Sequence, residues 1–157
     1  MFESATQAEK NDNYINPALE VYIRPTKEDR LKIKESFNKV GIEIHGNGYD
    51  LIDKDTKKNI DNLDDIINEV VLYELKSHGK NTKYSIDENF NNFSFGVTEN
   101  EIKNFKSLGS RYKIIFLNNK TNKIKIQNFS DIEESFSHAS YFFKLGKKNR
   151  PVDLNEI

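Results

Sequence analysis

Cysteine is absent from this chain of 157 residues, and histidine occurs only three times, as His45, His78 and His138. Disulfides and thiolate metal sites are therefore excluded, and zinc is disfavoured because the histidines do not have helical ligand spacing. No apolar run approaches the ~18 residues of a membrane-spanning helix. The first residues lack the basic-then-apolar pattern of a signal peptide, which favours the cytoplasm.

Charge of one sign does not dominate, since 24 basic residues face 25 acidic ones and the net charge is −1. This balance argues against a non-specific polycation but leaves room for local basic patches. With 36% hydrophobic and 31% charged residues, the chain has enough apolar material for a core under a highly charged surface. We expect an N-terminal arm over residues 1–24, a single domain over 25–150 and a loose C-terminal tail over 151–157.

Helices are predicted from their caps, over residues 26–40, over 98–108 and from 130 onward. The predicted capping boxes are Thr26 with Asp29, Thr98 with Glu101, and Ser130 with Glu133. Residues 63–68 are expected to add a helical turn. Residues 18–23 fit either a short edge strand or a helical turn.

Strands are predicted from alternating or continuous apolar runs rich in β-favouring residues. The predicted strands cover residues 42–44, 49–53, 70–76, 93–97, 112–117 and 123–127. Residues 55–62 are expected to form a polar loop, and residues 79–92 a loop or flap. The order of these elements predicts an α/β fold, a mixed β-sheet flanked by helices.

The strand over residues 70–76 has an unusual end. Its apolar beginning indicates a strand covered on both faces, yet it continues into Glu74 and Lys76. Because side chains alternate along a strand, these two should project from one face. Asp50 lies among apolar residues on the preceding strand. If buried, such charges are costly enough to suggest a role beyond packing.

Asp50, Glu74 and Lys76 are the set that metal-dependent phosphodiester cleavage requires. Mg²⁺ can both neutralise charge on the phosphorus and activate water, and it prefers carboxylates, a carbonyl and retained waters as ligands. We expect the Asp50 and Glu74 carboxylates to converge within ligand reach, with the Leu75 backbone carbonyl as a third oxygen. Lys76 would orient the attacking water or stabilise the developing charge. A Glu–Lys pair at a solvated strand end would show the same pattern.

The motifs Gly48-Tyr49-Asp50 and Leu72-Tyr73-Glu74-Leu75-Lys76-Ser77 resemble the PD-(D/E)xK restriction-endonuclease-like superfamily. Two further motifs follow in the order found in the NO VEIN-type C-terminal nuclease-related domain, so that the resemblance covers roughly residues 42–118. These motifs are Phe95-Gly96-Val97-Thr98-Glu99-Asn100-Glu101-Ile102 and Gly109-Ser110-Arg111-Tyr112-Lys113-Ile114. The chain departs from the superfamily pattern before Asp50, where Tyr49 replaces proline, as in the NO VEIN-like subgroup.

The resemblance implies a restriction-endonuclease-like fold and a magnesium-dependent endonuclease that hydrolyses DNA, with Mn²⁺ as a substitute metal, in restriction, defence or a mobile element. It also implies a supporting or DNA-facing role for Glu101, beside its capping role. His78, two residues beyond Lys76, could contact phosphate or be a surface histidine. Replacing Glu74 or Lys76 by alanine is expected to abolish cleavage and leave the fold intact.

Two basic clusters are candidates for contacts with a nucleic-acid backbone. They comprise Lys103, Lys106, Arg111 and Lys113, and Lys144, Lys147, Lys148 and Arg150. Solvated lysines are also ordinary in a chain this charged. The alternative to a nuclease is a non-catalytic nuclease-like module that binds nucleic acid or a partner protein. The sequence does not distinguish DNA from RNA, or a single chain from a homodimer or a larger assembly.

Overall fold

The computed structural model describes residues 16–78, 85–90, 92–93 and 95–131. These residues form a five-stranded mixed sheet with the strand order β1-β2-β3-β4-β5. The strands are β1 (Tyr22–Ile23), β2 (Leu51–Asp53), β3 (Leu72–His78), β4 (Tyr112–Asn118) and β5 (Lys123–Asn128). Only the β3–β4 pair in this sheet is parallel; the other neighbours are antiparallel. The predicted mixed α/β architecture is confirmed.

Short and medium helices connect these strands. They are α1 (Lys27–Lys39), α2 (Lys54–Lys58), α3 (Leu63–Ile66) and α4 (Glu99–Leu108), with 3₁₀ turns at Pro17–Leu19, Ile67–Glu69 and Gly109–Arg111. The predicted capping box of α1 is present: Thr26 Oγ1 accepts from the Asp29 N–H, and the Asp29 carboxylate accepts from the Thr26 N–H. The segment 18–23, for which two interpretations were open, contains both a helical turn and the edge strand β1.

Apolar side chains pack on both faces of the sheet. The larger cluster lies on the face covered by α1 and α4, which we call the α1/α4 face. Its buried members include Ile33, Phe37, Ile52, Leu72, Leu108, Tyr112, Ile114 and Phe116. The opposite face carries a smaller cluster of Leu19, Leu51, Leu75, Ile115 and Leu117. β3 is therefore covered on both faces, as its apolar beginning predicts.

Two predicted strands are wrong. Residues 42–44 form no strand, because the Ile42 N–H donates to the Phe37 carbonyl (3.0 Å) and folds the chain back onto the end of α1. Residue 93 and residues 95–97 are not in a strand either. The rings of Phe93 and Phe95 instead pack edge-on against Phe116, with centroids 5.1 and 5.0 Å away. The apolar alternation in both segments reflects burial without a hydrogen-bonded strand partner.

The polar loop predicted over residues 55–62 is wrong in its first half, which forms α2. Asp53 caps this helix by accepting from the Thr56 N–H at 2.7 Å. The helical turn predicted over 63–68 is confirmed by α3 and the 3₁₀ turn after it. Residues 129–131 are helical, as expected for the start of the helix predicted from Ser130 onward, whereas the rest of that helix and the tail over 151–157 lie outside the described residues. Within the described part of the chain, no helix has the length and apolarity that a bilayer crossing needs.

Candidate active site

Asp50 is held against β3 at the point where β2 begins. The Asp50 N–H donates to the Tyr73 carbonyl (2.8 Å), and the Leu75 N–H donates to Asp50 Oδ2 (2.9 Å). The pairing of β2 with β3 ends at Leu51 and Tyr73. Beyond that pair, the Asp50 carboxylate accepts the hydrogen bond from β3 that a backbone carbonyl would otherwise accept. Because the N–H and C=O of one strand residue point to the same side, the Leu75 carbonyl faces this edge as well.

Glu74 lies beside Asp50 on the α1/α4 face. The two carboxyl groups interact electrostatically, and only 7% of the Glu74 surface is exposed. Burial raises the pKa of Glu74 well above its usual range, and the neighbouring charge of Asp50 raises it further. Burial also raises the pKa of Asp50, against the opposing effects of the Leu75 N–H and Lys76. Ionisation of both Asp50 and Glu74 therefore requires compensating positive charge nearby.

Lys76 supplies part of that charge. Its Nζ lies 3.0 Å from Glu74 Oε1 and 3.0 and 3.1 Å from the two carboxylate oxygens of Glu101. Burial lowers the pKa of Lys76, but the charges of Glu74 and Glu101 outweigh that effect and raise it above its ordinary value. The lysine is therefore positively charged at neutral pH, between two carboxylates.

Glu101 has two partners, of which the sequence predicts one. Its Oε2 accepts from the Thr98 N–H (2.8 Å), and its own N–H donates to Thr98 Oγ1 (3.3 Å), so the predicted capping box is present. The ion pair with Lys76 was not predicted. A signal for it exists in the spacing of Glu101, Asn104 and Leu108, which places them on one helical face, and all three are buried.

Asn104 positions the loop that leads to Asp50, and sequence reasoning missed it. The His45 N–H donates to Asn104 Oδ1 (2.7 Å), while Asn104 Nδ2 donates to the carbonyls of His45 (3.1 Å) and Gly48 (3.2 Å). Tyr112 Oη also donates to the Gly48 carbonyl, at 2.8 Å. A Cβ atom on residue 48 would lie 2.5 Å from Asn104 Nδ2, so the close approach requires the glycine of the Gly48-Tyr49-Asp50 motif.

Replacing Asn104 by alanine should lower the free energy of unfolding by about 2 kcal/mol, because it removes three hydrogen bonds to the 45–48 loop and leaves the His45 N–H without its Asn104 partner. Urea unfolding of the variant checks this value. Asn38→Ala, at an exposed position of α1, is the control and should change stability by less than about 0.5 kcal/mol. An Asn104→Ala protein as stable as the wild type would contradict the anchoring role.

The other predicted residues are not all near this site. His78 is buried beside the Phe93 ring, so the surface-histidine interpretation is wrong, and burial together with the charge of Lys120 lowers its pKa. Arg111 donates to the Ile67 carbonyl (3.0 Å), which gives it a structural partner. Lys113 projects from the opposite face to Glu74, since its neighbours in β4 belong to the α1/α4 face.

The remaining basic candidates divide into two groups. Lys103 and Lys106 are exposed on α4, where Lys103 pairs with Glu99 at 2.8 Å. They therefore lie on the other side of the sheet from Lys113. The predicted second cluster, Lys144, Lys147, Lys148 and Arg150, lies outside the described residues.

Asp50 and Glu74 are the side chains that could hold a divalent cation. Within the described ranges, no three side chains of histidine, aspartate or glutamate are arranged to hold a metal ion by themselves. Mg²⁺ does not need such a set, since it commonly takes one or two carboxylates and keeps several waters. When ionised, Asp50, Glu74 and Glu101 carry two more negative charges than Lys76 offsets, a deficit that one divalent cation would neutralise.

Comparison of the chain with protein-family models, with curated proteins and with solved structures found no match. The resemblance to the PD-(D/E)xK superfamily accordingly rests on the quoted motifs and their order. The arrangement of Asp50, Glu74, Lys76 and Glu101 is the basis on which a function can be assigned.

Proposed function

We propose that this protein is a magnesium-dependent endonuclease that hydrolyses phosphodiester bonds in DNA. The observation that carries the proposal is the adjacent pair of the half-buried Asp50 and the buried Glu74 carboxylates beside the Lys76 ammonium. A buried group of like charges opposes folding, and apolar residues would pack the same space at lower cost. Strongly perturbed titrating groups of this kind concentrate at functional sites.

Each residue has a role that follows from its position. Asp50 and Glu74 would hold the metal ion, and the Leu75 carbonyl faces the same edge as a further oxygen donor. When bound, Mg²⁺ would supply Lewis acidity toward the phosphate and lower the pKa of a bound water. Lys76 brings a charged donor with three N–H groups next to the acid pair, where it can orient the attacking water or stabilise charge on the scissile phosphate.

The order of the motifs supports a restriction-endonuclease-like assignment within the mixed sheet. The Gly48-Tyr49-Asp50 motif leads into β2, the Glu74-Leu75-Lys76 motif lies on β3, and the Thr98–Glu101 motif begins α4, which returns to the same site. Through this resemblance we place the activity in restriction, defence or a mobile element.

A second candidate is a non-catalytic module that binds nucleic acid or a partner protein. This candidate is favoured by the pairing of Lys76, which contacts both Glu74 and Glu101 and has only 15% of its side chain exposed. An ammonium paired in this way can have a purely structural role. A purely structural network requires no metal ion, whereas the nuclease does. The two candidates therefore differ in their response to divalent cations.

Incubation with supercoiled plasmid, single-stranded DNA and RNA tests the proposal. We expect nicked and linear plasmid in Mg²⁺ or Mn²⁺, no product in EDTA, and recovery when excess Mg²⁺ is added. An Asp50→Asn protein purified in parallel controls for contaminating nucleases. Binding without cleavage in every metal would favour the non-catalytic module, and cleavage of RNA alone would replace DNA as the substrate.

A further inference from the structure

The Lys76 ammonium is shared unequally between two carboxylates. It makes two contacts with Glu101, at 3.0 and 3.1 Å, and one with Glu74, at 3.0 Å. The two Glu101 oxygens share one side of the ammonium, and Glu74 Oε1 lies against another. Only 8% of the Glu101 side chain is exposed, so water screens this pair little.

Glu101 and Glu74 are held in different ways. The Glu101 carboxylate is fixed by a hydrogen bond from the Thr98 N–H at the N-terminus of α4. Glu74 lies on β3 beside Asp50, whose charge repels its own. Glu101 is therefore a partner for Lys76 that is anchored on α4, whereas Glu74 is the acid that a metal ion can take.

We propose that Glu101 is the positioning residue of Lys76, and that it retains the ammonium when a divalent cation occupies Asp50 and Glu74. This inference rests on the proposed function and adds a residue to it. Lys76 neutralises Glu74 in the metal-free protein and remains beside the metal afterwards, because its ion pair with both oxygens of Glu101 does not involve Glu74.

Loss of the Glu101 charge should turn Lys76 into a competitor of the metal ion. In Glu101→Gln, the ammonium has Glu74 as its remaining anionic partner on this side of the site. A cation must then break that pair to bind, and charge-assisted hydrogen bonds are among the strong ones. We expect Mn²⁺ to bind about tenfold more weakly than to the wild type.

Calorimetric titration with Mn²⁺, in the absence of nucleic acid, measures this change. Thr98→Ala is the matched control, because it removes the other half of the same capping box and leaves the Glu101–Lys76 pair in place. It should change Mn²⁺ affinity by less than about twofold. An equal loss in both variants would reduce Glu101 to a capping residue, and an unchanged affinity in Glu101→Gln would overturn the inference.

The ¹⁵N-detected signal of the Lys76 ammonium provides a measurement that needs no variant. In the wild type we expect the signal to shift on addition of Mg²⁺ and to persist, because Glu101 still protects the ammonium from exchange. Disappearance of the signal on Mg²⁺ saturation would show that Glu101 does not retain the lysine. If the wild type binds neither Mn²⁺ nor Mg²⁺, the proposed function fails, and so does the proposal that Glu101 retains Lys76 when a metal ion binds. The ammonium signals of the wild type and Glu101→Gln would still decide whether Glu101 positions Lys76 in the metal-free protein.

Discussion

Glu74→Gln should cleave DNA on the order of 10³-fold more slowly than the wild type, which corresponds to a loss of about 4 kcal/mol in transition-state stabilisation. The variant keeps the size and shape of the side chain, but it replaces one acceptor oxygen by an NH₂ donor and loses the charge that a metal ion requires beside Asp50. Single-turnover cleavage of plasmid at saturating Mg²⁺ measures the effect. Glu69→Gln, at an exposed position just before β3, is the control and should cleave at the wild-type rate.

The same variant should be more stable than the wild type at pH 8, by about 1–2 kcal/mol, as is common where a functional site carries strain. Folding raises the pKa of Glu74, so its ionisation opposes folding at pH values above that folded-state pKa. Below the ordinary carboxyl range the residue is protonated in both states, and the advantage of glutamine should vanish. Urea unfolding between pH 8 and pH 4 follows the change. Substantial cleavage by Glu74→Gln would refute the assignment of the site.

Lys76→Met should abolish cleavage and also destabilise the fold, by about 3 kcal/mol at neutral pH, because removing one partner of a buried ion pair leaves the other charges uncompensated. This revises the expectation from the sequence that alanine at this position leaves the fold intact. The lysine lies among Asp50, Glu74 and Glu101, and all three carboxylates lose its charge.

The destabilisation of Lys76→Met should depend on pH. The folded-state pKa of Lys76 is raised, so its stabilising contribution is fully present at neutral pH and would be lost only in alkali. As the pH falls, the carboxylates become protonated and no longer need the lysine, so the variant should approach the stability of the wild type. Lys113→Met, on the neighbouring strand but the opposite face, is the control for loss of a lysine from the sheet. A Lys76→Met protein as stable as the wild type at pH 8 would contradict this account of the site.

Features set by neighbouring residues could be predicted from the sequence. The capping boxes of Thr26 and Thr98 each join residues three positions apart, so the sequence contains both partners within one helical turn. The placement of Glu74 and Lys76 on one face of β3 follows from strand alternation alone. In each case the geometry is local, and the chemistry of the side chains identifies the partner.

Alternation of apolar residues was a poorer guide to strands. It marks which side chains are buried, but it does not show whether another strand is available to pair with the backbone. Ile44 is buried without joining the sheet, and Phe93 reaches the core through contact with the Phe116 ring. Both segments satisfy the periodicity of a strand by packing side chains into the core.

Partners distant in sequence could not be inferred. Lys76 and Glu101 are 25 residues apart, and Asn104 and Gly48 are 56 apart. The chain contains many other acidic and amide side chains that, from the sequence pattern alone, were equally good candidates for these two contacts. Only the return of α4 to the sheet selects Glu101 and Asn104.

Helix α4 supports both halves of the site from one face. Glu101 grips Lys76 on β3, and Asn104, almost one turn further along, grips the loop that carries Asp50. Lys76 and the loop that carries Asp50 are therefore both positioned by this helix. A displacement of α4 would break the contacts to Lys76 and to the loop together, so we expect the two halves of the site to be ordered or lost cooperatively.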